Sequence, residues 1–330
     1  MTIKSILPIQ ISSILTGFLL VVALHAQPPS SAPSKLDSAD VKKDIEKAKK
    51  TAGTEWAAEA HFFCEAPRAN SLNDPLLEPA KIFDNVYILG RIGTAVYAIT
   101  TSAGIMLIDS GYPNEVEPVV IGGMKKLGLD PAQIKMVILT HGHADHFGGT
   151  PFIQEHYGPH VYLSAADWNL MENPPPGRAQ KGPPPVLPKH DMLITEGQPI
   201  MLGDEKVMPV AIPGHTPGAM GLIFAVKDGG KTHMAALYGG TILLPGIISD
   251  DGLEQYLHSI AHFKDETKKA KVDVELQNHP LYDGTLEKLE KIQARKKGDP
   301  NPFIVGQANY QKFLDVMSQC MDAQIARRKE

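Results

Sequence analysis

The sequence predicts an α/β fold built as an αββα sandwich, two mixed β-sheets packed together with helices on the outer faces. Three observations carry this. Period-two apolar runs fill the stretch from Asn85 to Asp109 and read as strands joined by tight turns. Helix-period patterns at 113–128 and 147–157 then alternate with short apolar runs. After residue 206 the strand–helix succession starts again, which suggests a second sheet rather than a longer first one.

Residues 1–26 carry one early charge, Lys4, and an apolar core from Gly17 to Leu24 that ends at His25-Ala26. A basic start, a short apolar core and a small residue before a polar break describe a secretory signal peptide. The core falls short of the about 20 residues that a bilayer span needs. Residues 27–60 then read as a linker and an N-terminal helix, and 61–330 as a single catalytic domain. The first strands are Val86–Leu89, Val96–Ile99 and Ile105–Ile108. A helix at Pro113–Gly128 follows, with Gly128 as its C-cap. A buried strand at Met136–Leu139 delivers Thr140-His141 at its C-terminal end. A helix at Phe147–Tyr157 and a strand at Val161–Leu163 come next. Residues 173–190 hold seven of the chain's prolines, so they join neither a sheet interior nor a helix and form a long irregular loop. Strands resume at Lys206–Ile212, Met220–Val226 and His233–Tyr238. Helices are expected at 252–268, 284–297 and 306–328, with a strand at Val272–Leu276.

The 330 residues are 43% hydrophobic and 21% charged, with a formal net charge of −5, so no basic field recommends nucleic acid as a partner. A small-molecule substrate is expected instead, with no stable membrane association once a signal peptide is removed. Cys64 and Cys320 are the two cysteines. They lack the Cys-x-x-Cys spacing of a metal site, and the sequence leaves open whether they pair.

His141-Gly142-His143-Ala144-Asp145-His146 sets three imidazoles and a carboxylate within six residues. These are zinc-ligand types, and a catalytic zinc keeps three protein ligands and an open position. Four ligands in one segment therefore favour two metals over one. His215, in Pro213-Gly214-His215-Thr216-Pro217-Gly218, and His279, in Asn278-His279-Pro280, also follow strands and sit in turns that fix an imidazole at a sheet end. His61, His156, His160, His190, His233, His258 and His262 have no such context and are read as solvated or structural.

These motifs resemble the metallo-β-lactamase superfamily. His141-x-His143-x-Asp145-His146 is similar to its His-x-His-x-Asp-His signature. Leu107-Ile108-Asp109-Ser110-Gly111 and Pro213-Gly214-His215-Thr216-Pro217-Gly218 are similar to its flanking motifs, in the same order. The agreement runs from about Pro79 to Arg328 and is greatest with subclass B3. The resemblance implies one zinc on His141, His143 and His215, and a second on Asp145, His146 and His279. It implies a hydrolase that uses a zinc-bound hydroxide to open β-lactam rings, with Asp145 also orienting the nucleophile. Where many relatives have an aspartate between the metals and another subclass a cysteine, this chain has Tyr238-Gly239-Gly240-Thr241. Of two serines that hold the drug carboxylate in subclass B3, Thr241 keeps a hydroxyl and Leu243 does not.

Trp168 and Met171, just before the proline-rich loop, are expected to wall the substrate, and Thr241 to touch it. Asp109 is a candidate acceptor for the second nitrogen of a ligand histidine, and equally a turn-forming residue. A periplasmic or secreted β-lactamase is the first expectation. Hydrolysis of a lactone or thioester is the alternative, favoured by Leu243 and the loop. An iron-dependent oxidoreductase on the same fold fits export poorly, and a non-catalytic metal protein leaves the open coordination positions unexplained.

Overall fold

Two of the three apolar layers are already visible in β3 (Ala95–Thr101), where every residue from Ala95 to Ala98 is fully buried. Alternate side chains of a strand point to opposite faces. Tyr97 and Ile99 pack with Leu222 and Phe224 of the other sheet, while Val96 and Ala98 pack with Val120 and Met124 of a helical segment. A strand covered on both faces has no polar side, which is why these runs read as nearly continuous hydrophobic stretches.

The computed structural model describes residues 37–66, 69, 71–174, 184–242 and 248–329. Among these, one sheet orders β1 (Ala80–Lys81), β2 (Val86–Gly90), β3, β4 (Gly104–Ile108), β5 (Ile134–Ile138), β6 (His160–Ser164) and β7 (Met192–Ile194) side by side. The pairs from β1 to β4 are antiparallel and those from β4 to β7 parallel. The second sheet holds β8 (Ile200–Leu202), β9 (Glu205–Ala211), β10 (Met220–Asp228), β11 (Lys231–Leu237) and β12 (Val274–Leu276) in the spatial order β12-β11-β10-β9-β8. It is antiparallel except for the β11–β12 pair.

The helices are α1 (Ala39–Ala52), α2 (Ala57–Ala60), α3 (Gly122–Lys126), α4 (Ala144–Phe147), α5 (Thr150–Tyr157), α6 (Ala165–Glu172), α7 (Asp250–Lys269), α8 (Thr285–Ala294) and α9 (Gln307–Lys329). Val41 and Ile45 of α1, Phe263 of α7 and Phe313 and Met317 of α9 cover the outer face of the second sheet at Ile223 and Ala236. The αββα arrangement is thus the observed one. Cys64 and Cys320 are joined in a disulfide that ties the turn His61–Glu65 to α9. No described helix is long and apolar enough to cross a membrane.

Three local readings change. The helix expected over 113–128 is a wide π-type turn at Val116–Ile121 that runs on into α3. Pro118 lies in the first turn of this segment, where a missing N–H costs no intrahelical bond. The helix α6 was not expected, although Ser164-Ala165-Ala166-Asp167 carries a capping signal, and the Ser164 hydroxyl accepts the Asp167 N–H at 3.2 Å. The two- and three-residue strands β1, β7 and β8 are too short to show a period. The expected signal peptide and linker up to residue 36, the centre of the proline-rich loop at 175–183, and Leu243 lie outside the described residues.

Candidate metal centre

The parallel strand β5 ends at Ile138, and the chain carries His141, fully buried, across the sheet edge. His143 is the N-cap residue of α4, in extended conformation, so its side chain diverges from those that follow. Asp145 and His146 lie in the first turn of α4 and face a second point. From the other sheet, the turn after β9 brings His215 and the segment after β12 brings His279. The side-chain donor atoms of His141, His143 and His215 lie within 4.8 Å of one another, and so do those of Asp145, His146 and His279. All six residues read from the sequence are thus assembled, in the two groups expected. The seven other described histidines join neither group, and five of them face carboxylates elsewhere: His61 with Glu65, His160 with Asp191, His190 with Glu172, His233 with Asp273 and His262 with Glu196.

The second nitrogens are held by the protein. Asp109 stands just past β4 with φ 60°, a left-handed conformation that aspartate tolerates better than most side chains. Its carboxylate accepts the His146 Nδ1–H at 2.7 Å, the Thr140 N–H at 2.8 Å and the Thr140 hydroxyl at 3.0 Å. The Thr140 oxygen, its proton committed to Asp109, accepts from His141 Nδ1 at 3.0 Å. Asp109 is therefore both the turn residue and the acceptor, and it orients one histidine of each group. His279 Nδ1–H donates to the Gly93 carbonyl at 2.6 Å. These bonds leave Nε2 of His141, His146 and His279 as the inward atoms; Nε2 of His146 faces Asp145 Oδ2 at 2.9 Å, and Nε2 of His141 is buried without a hydrogen-bond partner. Buried polar atoms normally have partners, so an imidazole nitrogen left without one in a donor group fits a metal.

The electrostatics agree. Burial and the crowding of other imidazoles hold His141 and His215 well below the usual histidine range, and burial takes His279 down to about 4. These three are neutral and can donate lone pairs. Burial would raise Asp145, yet the neighbouring imidazoles, His146 first, hold it well below the carboxylate range. Burial would also depress His146, but the charges of Asp145 and Asp109 outweigh it and push it up to about 10. The space between these carboxylates favours positive charge.

Glycines make the crowding possible. A Cβ on Gly240, which has φ 84°, would stand 2.6 Å from Cδ2 of His215. The His215 ring thus packs directly against the Gly240 backbone. Thr241 is fully buried, and its hydroxyl meets no partner among the described residues. Beside His143 opens a cleft of about 360 Å³ whose walls include Phe147, Leu170, Met171, Pro184 and Leu187. Met171 is on the wall as expected. Trp168 is not. It is a core residue of α6, 1% exposed, whose indole N–H donates to the Met192 carbonyl at 3.3 Å and whose face is covered by His190, ring centroids 4.4 Å apart. A residue missed by sequence reading is Asp167, fully buried between the histidine loops.

The family model described as the metallo-beta-lactamase superfamily matches residues 89–228. The solved structure of BJP-1, a subclass B3 metallo-beta-lactamase of Bradyrhizobium japonicum, is 30% identical, with a TM-score of 0.67 over 78% of this chain and 96% of that one. The chain belongs to the metallo-β-lactamase superfamily. Within it the chain resembles subclass B3, and it carries two His/Asp groups that could hold metal ions. Two curated relatives are the "Probable metallo-hydrolase YflN" of Bacillus subtilis, 31% identical over 145 residues, and the hydroxyacylglutathione hydrolase GloC of Haemophilus influenzae, 32% identical over 113 residues. The matches cover 39% and 32% of this chain and 53% and 52% of those proteins, so the chain spans about half the length of the curated relatives it matches.

Proposed function

We propose that this metallo-β-lactamase-superfamily protein is an exported dinuclear zinc hydrolase that opens β-lactam rings. The observation that carries the reading is the pair of complete donor groups, His141/His143/His215 and Asp145/His146/His279. Zinc held there lowers the pKa of water to about 7 and polarises a carbonyl, which supplies a nucleophile at neutral pH. The chain's own part is orientation. Asp109 fixes the His146 tautomer and, through Thr140, that of His141. Asp145, which also accepts the Thr94 hydroxyl at 3.3 Å, would accept a hydrogen bond from the nucleophile and so orient its lone pair towards the substrate. The likeness to BJP-1 supports β-lactams as substrates. The disulfide supports export, because such bonds persist in oxidising compartments.

A second reading, hydrolysis of a lactone or thioester, is favoured by the cleft. Its described walls, Phe147, Leu170, Met171, Pro184 and Leu187 among them, are mostly apolar and suit an acyl chain. One experiment separates the readings. Metal analysis of the purified protein is expected to find about two zinc per chain. The zinc-loaded enzyme is then assayed on penicillins, cephalosporins and carbapenems beside homoserine lactones and thioesters. Turnover of the last two alone would replace the first reading by the second, and one metal or none per chain would end the dinuclear reading.

A further inference from the structure

We propose that Asp167 is a positioning residue that sets the geometry of the His141/His143/His215 donor group and has little effect on the Asp145/His146/His279 group. The inference rests on the reading of these groups as metal sites. Asp167 is the third residue of α6 and is fully buried. Its Oδ2 accepts the Gly142 N–H at 2.7 Å and the Thr216 hydroxyl at 2.6 Å, and its Oδ1 accepts the Gly218 N–H at 2.8 Å. Gly142 stands between His141 and His143, and Thr216 is the residue after His215. One carboxylate thus ties together the backbone beside all three histidines, and it does so across the two halves of the chain.

The approach is close at both ends, and at Gly218 it leaves no room for a side chain. A Cβ on Gly218 would lie 1.9 Å from the Ser164 hydroxyl and 2.8 Å from Asp167 Oδ1. A Cβ on Gly142 would lie 3.1 Å from the Asp167 carbonyl oxygen and 3.1 Å from Met171 Cγ. These contacts explain two glycines of the histidine motifs as clearance for α6. The chemistry also explains the carboxylate. Two backbone N–H groups approach different oxygens, so both oxygens must accept. Asparagine supplies one accepting oxygen and one NH2, which faces a backbone N–H and repels it. A buried donor left without its acceptor is costly, and the loop that carries it shifts. His146 and His279 of the other group are oriented by Asp109 and the Gly93 carbonyl instead.

The test uses the full chain, Co2+ and Zn2+. Metal-stripped wild type and Asp167→Asn are titrated with Co2+, and the visible d–d bands that report each site are followed. Competition with a chelator gives the two zinc affinities. Partners that orient ligands from outside typically change metal affinity or activity tenfold to a hundredfold. Asp167→Asn is expected to weaken one site by that factor and to alter its band, with the other site within about threefold of wild type. Thr216→Val removes one of the three bonds and is expected to shift the same site less, while Thr216→Ser, which keeps the hydroxyl, restores it. The Thr216 pair also decides the question if Asp167→Asn does not fold. Equal loss at both sites, or a lower melting temperature with both affinities and bands unchanged, would overturn the proposal. A wild type that binds no metal would instead sink the metal-site reading itself.

Discussion

At the scale of the residue, the centre is controlled by side chains that would not touch a metal. Asp109 and Asp167 are both buried carboxylates that accept backbone and side-chain donors, yet they act on different targets. Asp109 reaches His146 directly and His141 through Thr140, one histidine from each donor group. Asp109→Asn keeps the shape and removes one accepting oxygen. It is therefore expected to lower affinity at both metal sites, and hydrolytic activity with them, by about tenfold to a hundredfold. Zinc affinity and kcat/KM measured on the same preparation check this. Loss confined to one site would show that the Thr140 relay to His141 carries no weight. The tautomers matter because a neutral imidazole offers one lone pair only, and the bond on Nδ1 decides that it is on Nε2.

At the scale of the element, α6, which the sequence left unassigned, decides where the two expected wall residues stand. Trp168 and Met171 are three residues apart and share the buried side of the helix, but only Met171 reaches the cleft. Trp168 points into the layer between the first sheet and its helices. Trp168→Ala is expected to destabilise the protein by about 3–5 kcal/mol while KM stays near wild type in conditions where the variant is folded. Met171→Ala is expected to change KM by a larger factor than Trp168→Ala does. Thermal denaturation and steady-state kinetics on both variants read the two effects separately. A KM change on Trp168→Ala equal to that of Met171→Ala would return Trp168 to the substrate wall. The six donor residues were legible because they stand in two compact motifs and at the ends of apolar runs. The longer elements were legible from their periods. Asp167 was not, since its partners are backbone groups 25 and 51 residues away and a hydroxyl 49 away. The helix that carries it spans only two turns, too few for its apolar positions to trace a stripe.

At the scale of the whole molecule, each donor group takes members from both sheets. His141 and His143 come from the first and His215 from the second; Asp145 and His146 come from the first and His279 from the second. Metal in either site would therefore connect the two halves of the sandwich as well as activate water. Unfolding separates these donors, so the folded state alone offers the assembled sites. A ligand that binds only the folded state, at a free concentration about a thousand times its dissociation constant, adds about 4 kcal/mol. For a chain of this size each kcal/mol corresponds to roughly 2–4 °C in melting temperature. Removing metal with a chelator is thus expected to lower the melting temperature by roughly 10 °C, reversed by zinc. His215→Ala, which takes one donor from the second sheet, should make the chelator effect smaller without abolishing it, because the Asp145/His146/His279 group still spans the sheets. Calorimetry with and without chelator checks both statements. A melting temperature indifferent to metal would mean that the two halves are held by the inter-sheet core alone, with the ions adding chemistry and no cohesion.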